Sequence, residues 1–279
     1  MQSRKLETYY TKEGYGMKNN PVIQTMLDHK SIRKYTDEMP SDEVIETIVR
    51  AGQQAPFAYQ SYSVLLSRNG EENPYKAPLL FTICLDPHKF EHIMTRRNWK
   101  LITNDLAILV LGIQDASLMT ENMIVAGRSL GLGSCLLGSA LYRAEKIAKK
   151  HNLPKRVFPL VQLVMGYPAE DPPTRPRYPI EFTLFEDKYP KINQDTISKA
   201  MQQMDDGYLA QDYYRNLKAK IRLEGNREET FTYDNYSWTE HICRKWGQWD
   251  PDPKQLLEQF RKRGFYITRK RPQNQHTRL

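Results

Sequence analysis

Two short cationic clusters are the residues of this chain best equipped for chemistry. His29-Lys30-Ser31-Ile32-Arg33 leaves the end of the first expected helix, so four polar or cationic groups share one turn. Arg175-Pro176-Arg177 follows the last expected strand, and its proline stiffens the backbone from which both guanidinium groups project. Together, two such clusters could hold a phosphate through charge-assisted hydrogen bonds. Taken singly, each has a plainer reading. A helix-end His-Lys complements the helix dipole, and two arginines around a proline are commonly surface charge. Other chemistry is bounded by absences. There is no Gly-x-Gly-x-x-Gly after a strand, no phosphate-binding P-loop and no Gly-x-Ser-x-Gly elbow. No Cys-x-x-Cys occurs, and the six histidines are read as lacking ligand spacing, so no metal is expected.

The elements that must position these clusters alternate between helix and strand. Asn20-Pro21 opens a helix carried by Val22, Ile23, Met26 and Leu27 up to His29. A second begins at Ser41, with Asp42 and Glu43 in its first turn and Val44, Ile45, Ile48 and Val49 as its apolar stripe. Strands are predicted over 63–67, 79–85, 134–138 and 158–165. Asp105 to Leu130 is a long apolar stretch with helical periodicity, closed by Gly131-Leu132-Gly133. Its apolar face exceeds what one domain face needs, which points to a subunit interface. A basic amphipathic helix is expected over 144–151. This alternation makes an α/β or an α+β fold.

Residues 1–19 read as a polar arm, 20–190 as the core, and 191–279 as an extension wrapping it. One helix is expected in that extension, around Pro253 to Arg263, and its apolar content looks too low for an independent core. The composition is that of a globular protein, 39% hydrophobic and 27% charged. The longest apolar run, Leu106 to Ile113, is too short to span a bilayer, and no secretory signal is visible. Three dispersed cysteines fit a reducing cytoplasm. The net charge is +8, in part from Arg261, Lys262, Arg263, Arg269, Lys270, Arg271 and Arg278 in the tail. Elsewhere the charges are mixed, which argues against a nucleic-acid face.

His29-Lys30-Ser31-Ile32-Arg33 resembles the His-Arg-Ser-x-Arg signature of the FMN-dependent nitroreductase family. Three further segments resemble that family in the expected order. They are Ala55 through Tyr62, Ser129-Leu130-Gly131-Leu132-Gly133 through Ser139, and Leu163-Val164-Met165-Gly166-Tyr167-Pro168 through Arg175-Pro176-Arg177. The tail around Trp238-Thr239-Glu240-His241 is similar to the larger NADPH-preferring branch. Lys30 stands for the usual arginine, Arg175 for the usual lysine, Ser139 for a glycine, and Ser61-Tyr62 for Pro-Trp. Between Arg68 and Leu79 no flavin-contacting pair aligns, and Asn73 and Tyr75 carry no assignment.

The resemblance implies an α+β fold with a mostly antiparallel central sheet flanked by helices, in an intertwined homodimer with FMN at the interface. His29, Lys30 and Ser31, with Arg175 and Arg177, would hold the FMN phosphate. Arg33 would face the N1–C2 carbonyl edge, where a fixed guanidinium stabilises the charge of the reduced ring. Leu137, Gly138 and Ser139 would approach the N5 side, Gln60 would bond a polar atom of the cofactor, and Arg222 and Arg227 would meet the 2′-phosphate of NADPH. Hydride would pass from NAD(P)H through FMN to a nitroaromatic, quinone or flavin acceptor by a ping-pong scheme, with no side chain as a strict acid. The alternatives are a flavin reductase or dehalogenase on the same fold, and a non-enzymatic FMN carrier or sensor.

Overall fold

Asn20 opens the first helix through its side-chain oxygen, which accepts from the N–H groups of Val22 and Ile23 at 3.0 and 3.2 Å. Pro21 follows at the first helical position, where its missing N–H has no partner to lose. This helix, α1 (Pro21–Leu27), is only seven residues long. Ser41 likewise caps α2 (Asp42–Gln53), which buries Ile45 and Ile48. The structure, a computed structural model, describes residues 20–68, 71, 73, 75–248 and 252–267. The arm 1–19 and the tail residues Arg269, Lys270, Arg271 and Arg278 lie outside them.

Four strands, β1 (Tyr62–Ser67), β2 (Leu79–Leu85), β3 (Gly133–Leu137) and β4 (Phe158–Gly166), form one sheet in the order β1-β2-β4-β3, antiparallel throughout. That pairing settles the two fold readings in favour of α+β. Every residue of β2 is buried, as a strand covered on both faces requires. A helix absent from the sequence expectations, α3 (Pro87–Arg96), follows β2, with Asp86 as its cap and Pro87 at its start.

The long apolar stretch is α4 (Asp105–Ser129). Ile108, Leu109, Ala116, Met119 and Met123 are buried on one side of it, while Leu106, Val110, Ile113 and Leu118 are exposed on the other. By length and composition alone it could cross a membrane, but half of its apolar window is buried inside the protein. Its buried side meets Ile48, Phe81, Ile83 and Leu163 in an aliphatic core. The helix ends in a Schellman turn: Gly131 has φ +83°, its N–H donates to the Arg128 carbonyl at 3.0 Å, and the Leu132 N–H donates to Gly127 at 2.9 Å. That turn aims the chain into β3, and α5 (Ala144–Lys150) then leads to β4.

Among the described residues the chain forms two compact units, one running to Pro172 and resuming at Pro253, the other Pro173–Asp252. The first takes back the C-terminal helix α9 (Pro253–Lys262). The buried Arg263 donates to the carbonyls of Val157 and Leu153 at 3.1 and 2.8 Å, and the Tyr266 N–H donates to Asp105 at 2.7 Å.

The second unit holds α6 (Gln194–Leu209), α7 (Tyr213–Leu217) and α8 (Trp238–Gln248), where the sequence suggested no helix. Nor does it lack a core. Met204, Tyr208, Tyr214 and Tyr236 are buried, with Phe231 and Trp238 packed against them. Tyrosine rings bury large areas despite a polar tip, so apolar content undercounts what this segment can bury.

Candidate functional site

The 29–33 turn is sewn to the edge strand β3. The Ile32 N–H donates to the Ser134 carbonyl at 2.9 Å, and Ser31 pairs with Ser134 as a parallel bridge. Glycine at 133 permits this approach, because a Cβ there would lie 2.5 Å from Ile32 Cγ1. On the other side, the Arg33 and Lys34 N–H groups donate to Glu170 Oε1 at 2.6 and 3.2 Å. The Thr36 N–H reaches the Tyr167 carbonyl at 2.9 Å. A short cationic turn is thereby clamped between β3 and the segment after β4, which fixes where its side chains start.

Those side chains are partly engaged. The Lys30 ammonium pairs with Asp171, and its side chain is 17% exposed. The Ser31 hydroxyl and the Arg33 guanidinium face the thiol of Cys135; burial raises that thiol, while both neighbours draw it back down. Burial also raises the Tyr35 phenol, reinforced by Cys135 and Glu170 and opposed by Arg33. Arg33 is therefore the positive centre of a half-buried polar nest. On the Lys30 side of the turn lies a cleft of about 450 Å³, lined in part by Gln24, Lys30, Arg128, Glu170 and Asp171.

Leu137 packs against the buried cluster of Ala77, Leu80, Cys135 and Val164, as do Tyr35 and Tyr75, which joins the end of β3 to the same nest. Gly138 is exposed, and a Cβ built on it meets nothing within 4 Å, so there is open room above this backbone. Ser139 accepts from Arg143 at 3.2 Å. Asn73 uses its polar atoms within its own turn, accepting from Tyr75 and Ala77 and donating to the Ala77 carbonyl, each at 3.1 Å.

Gln60 stands apart, in the turn before β1 at the opposite edge of the sheet from β3. It is exposed, with φ +53°. What holds that turn was not foreseen. The buried Asp115 of α4 accepts from the N–H groups of Ala58, Tyr59 and Ser61 at 2.6, 3.2 and 3.3 Å. A carboxylate on the buried face of an apolar helix was the available signal, because such a group must find donors. The histidine spacing also needs correcting: His88 and His92 lie four residues apart on α3, with Nε2 atoms 3.0 Å apart.

The remaining candidates belong to the second unit. Arg175 donates to Gln211 at 2.6 Å and its guanidinium lies 4.1 Å from the centre of the Tyr213 ring. Arg177 donates to the carbonyls of Arg175 and Pro176 at 3.0 and 3.1 Å. Arg222 and Arg227 are exposed on the segment between α7 and α8. In the first unit, a cationic turn that also offers a hydroxyl, next to a strand end with room over its backbone, fits a flavin nucleotide by its donor set.

Known proteins agree with this architecture. The chain is 29% identical over 229 residues to the FMN reductase (NADPH) of Bacillus subtilis, covering 76% of this chain and 89% of that protein. It is 27% identical over 239 residues to the oxygen-insensitive NADPH nitroreductase of Salmonella typhimurium, covering 81% and 90% respectively. A solved structure of a hypothetical oxidoreductase from Bacillus subtilis matches with a TM-score of 0.74 at 26% identity, covering 89% of this chain and 99% of that one. Residues 26–72 and 65–167 match the nitroreductase family, and these take in the cationic turn, the whole sheet and α4: the chain belongs to the nitroreductase family.

Proposed function

We propose that this protein is an FMN-dependent oxidoreductase that takes hydride from NAD(P)H and passes it to a nitroaromatic, quinone or flavin acceptor. The observation that carries this reading is the Lys30-Ser31-Ile32-Arg33 turn, clamped by backbone hydrogen bonds to β3 and Glu170. Bound FMN would supply the hydride-accepting and hydride-donating centre. The protein's part is binding, orientation and charge.

Arg33 supplies a fixed positive charge for the edge of the ring that gains electron density on reduction, and a group held in place before reaction needs little reorganisation. His29, Lys30 and Ser31 are assigned to the phosphate. Lys30 then exchanges its Asp171 partner for the ligand or shares it. The backbone of Leu137-Gly138-Ser139 would border the reacting face of the bound ring, and one open face serving donor and acceptor in turn would give ping-pong kinetics. Arg222 and Arg227 are assigned to the 2′-phosphate of NADPH.

A homodimer completes the site in this reading. Leu106, Val110, Ile113 and Leu118 leave α4 with an exposed apolar stripe, and Gln60 lies at the sheet edge far from β3 in strand order. A second copy would cover the former and could supply the latter. We assign the protein to the cytoplasm, as three dispersed cysteines with no paired spacing suggest.

The visible spectrum of the purified protein tests the core of this proposal. A yellow protein bleached by NADPH without oxygen is expected. A colourless protein that takes up no FMN would overturn the proposal, and a yellow one that oxidises no NAD(P)H would make it a flavin carrier. Arg33→Ala is expected to slow reduction by NADPH at least tenfold. Arg222→Ala and Arg227→Ala should lower the NADPH-to-NADH preference, and an unchanged ratio in both removes that assignment.

A further inference from the structure

We infer that His88 and His92 on α3 form a two-histidine site for a divalent transition-metal ion, favouring copper(II) over nickel(II) and zinc(II). Residues four apart on a helix project from one face, one turn above the other. Here the rings approach with centroids 4.4 Å apart and planes at 78°, and the two Nε2 atoms are 3.0 Å apart. Two imidazole nitrogens about 2.1 Å from one metal ion and about 90° apart at it would be separated by about 3.0 Å. In the metal-free protein a hydrogen bond between the rings holds that spacing, and it matches two adjacent positions in a square-planar or octahedral site, the geometry of copper(II) and nickel(II).

The helix presenting the pair is held independently of any metal. Asp86 accepts from the Lys89 N–H at 3.3 Å, and Phe90 packs on Tyr59 with centroids 5.4 Å apart. Glu91 is ion-paired to the buried Arg156 at 2.8 Å. Binding thus has little helix to order. Glu91 shares the face of the two histidines by spacing, but Arg156 engages it. No group of three or more His, Cys, Asp or Glu converges among the described residues, so the protein supplies two ligands and water or a small chelator fills the rest. His92 is exposed and His88 half-buried, which leaves those positions open. With imidazole as the sole donor type, the affinity order follows the usual rise to copper(II).

Calorimetric titration of the full-length protein with copper(II), together with the electron paramagnetic resonance spectrum of the bound ion, tests the site. One copper(II) bound through two imidazole nitrogens is expected. His88→Gln and His92→Gln should each weaken that binding at least tenfold. A register-shifted protein, His92→Gln with Ile93→His, keeps the imidazole count but moves one ring off the face, and should bind as weakly as His92→Gln. Ile93 is exposed, so this change leaves the core intact, and an unchanged circular dichroism spectrum confirms the fold. Should the shifted protein fail to fold, the two single variants decide. Wild-type binding no tighter than that of His88→Gln, or undiminished binding by the register-shifted protein, would overturn the inference.

Discussion

The two compact units solve the same burial problem with different residues. The first builds its core from Ile, Leu, Met and Phe between α4 and the sheet. The second uses tyrosines, with Phe231 and Trp238 around them, and a buried charged side chain beside Phe231 and Tyr236. Arg244 is 2% exposed along its side chain, paired with Glu229 at 2.7 Å and Glu240 at 2.6 Å, with the Tyr236 ring centroid 5.0 Å away. Aliphatic packing is nondirectional and fails through cavities. A ring core that borders a buried guanidinium depends on partners and fails when one is removed. The contrast teaches that a segment with few aliphatic residues can still bury a core, provided its polar tips and charges are satisfied.

Breaking the aliphatic side should have the largest effect. Phe81 is fully buried in the centre of the sheet, and Phe81→Ala is expected to destabilise the first unit by about 4 kcal/mol. Denaturant unfolding gives the value, and hydrogen exchange should place most of the lost protection within residues 20–172. Breaking the second unit's charged centre comes next. Arg244→Ala removes the shared partner of two carboxylates that keep some solvent, so the loss should be about 2–3 kcal/mol, with lost protection concentrated in 173–248. Equal losses in both units from either variant would deny that the two cores are distinct.

Acid sharpens the comparison. The hydrogen bonds from Arg244, then the Phe231 N–H, hold the Glu229 carboxyl at about 2, below its ordinary 4.5. A depressed carboxyl contributes stability that is fully present above its unfolded value and is lost as the pH falls through its folded value. Amide protection in 220–248 should therefore decline between about pH 4.5 and 2, and Glu229→Gln should flatten the decline. The smallest effect concerns thiols. Burial pushes Cys84 up to about 12, whereas Cys243 is exposed. Iodoacetamide at pH 8 should alkylate Cys243 and leave Cys84 untouched until denaturant is added.

Much of the first unit was legible in the chain. Asn20-Pro21, Ser41 and Gly131 carry their own local signals, so the ends of α1, α2 and α4 follow from capping chemistry alone. The buried runs of β2 and β4 stand out for the same reason. The second unit was not legible in this way, since its tyrosines look polar residue by residue and its core forms only when they meet. Of the candidate site, the 29–33 turn was found from its charge, but its clamp was not. Glu170 and Ser134 lie over a hundred residues away in sequence, and nothing local announces that they meet Arg33 and Ile32. Asp115 escaped because it is a single carboxylate in a helix whose residues are mostly apolar.

The sequence by itself determined the elements with short-range causes: the caps, the glycine stop, the buried strands, and the cationic turn whose resemblance named the family. Only the tertiary structure decided the antiparallel order β1-β2-β4-β3, the seating of Ile32 against Gly133, and the capture of the 58–61 turn by Asp115. Capping and periodicity act over a few residues and so leave their mark in local composition. Strand order and long-range hydrogen bonds depend on which distant groups satisfy one another, and that is settled only when the whole core closes.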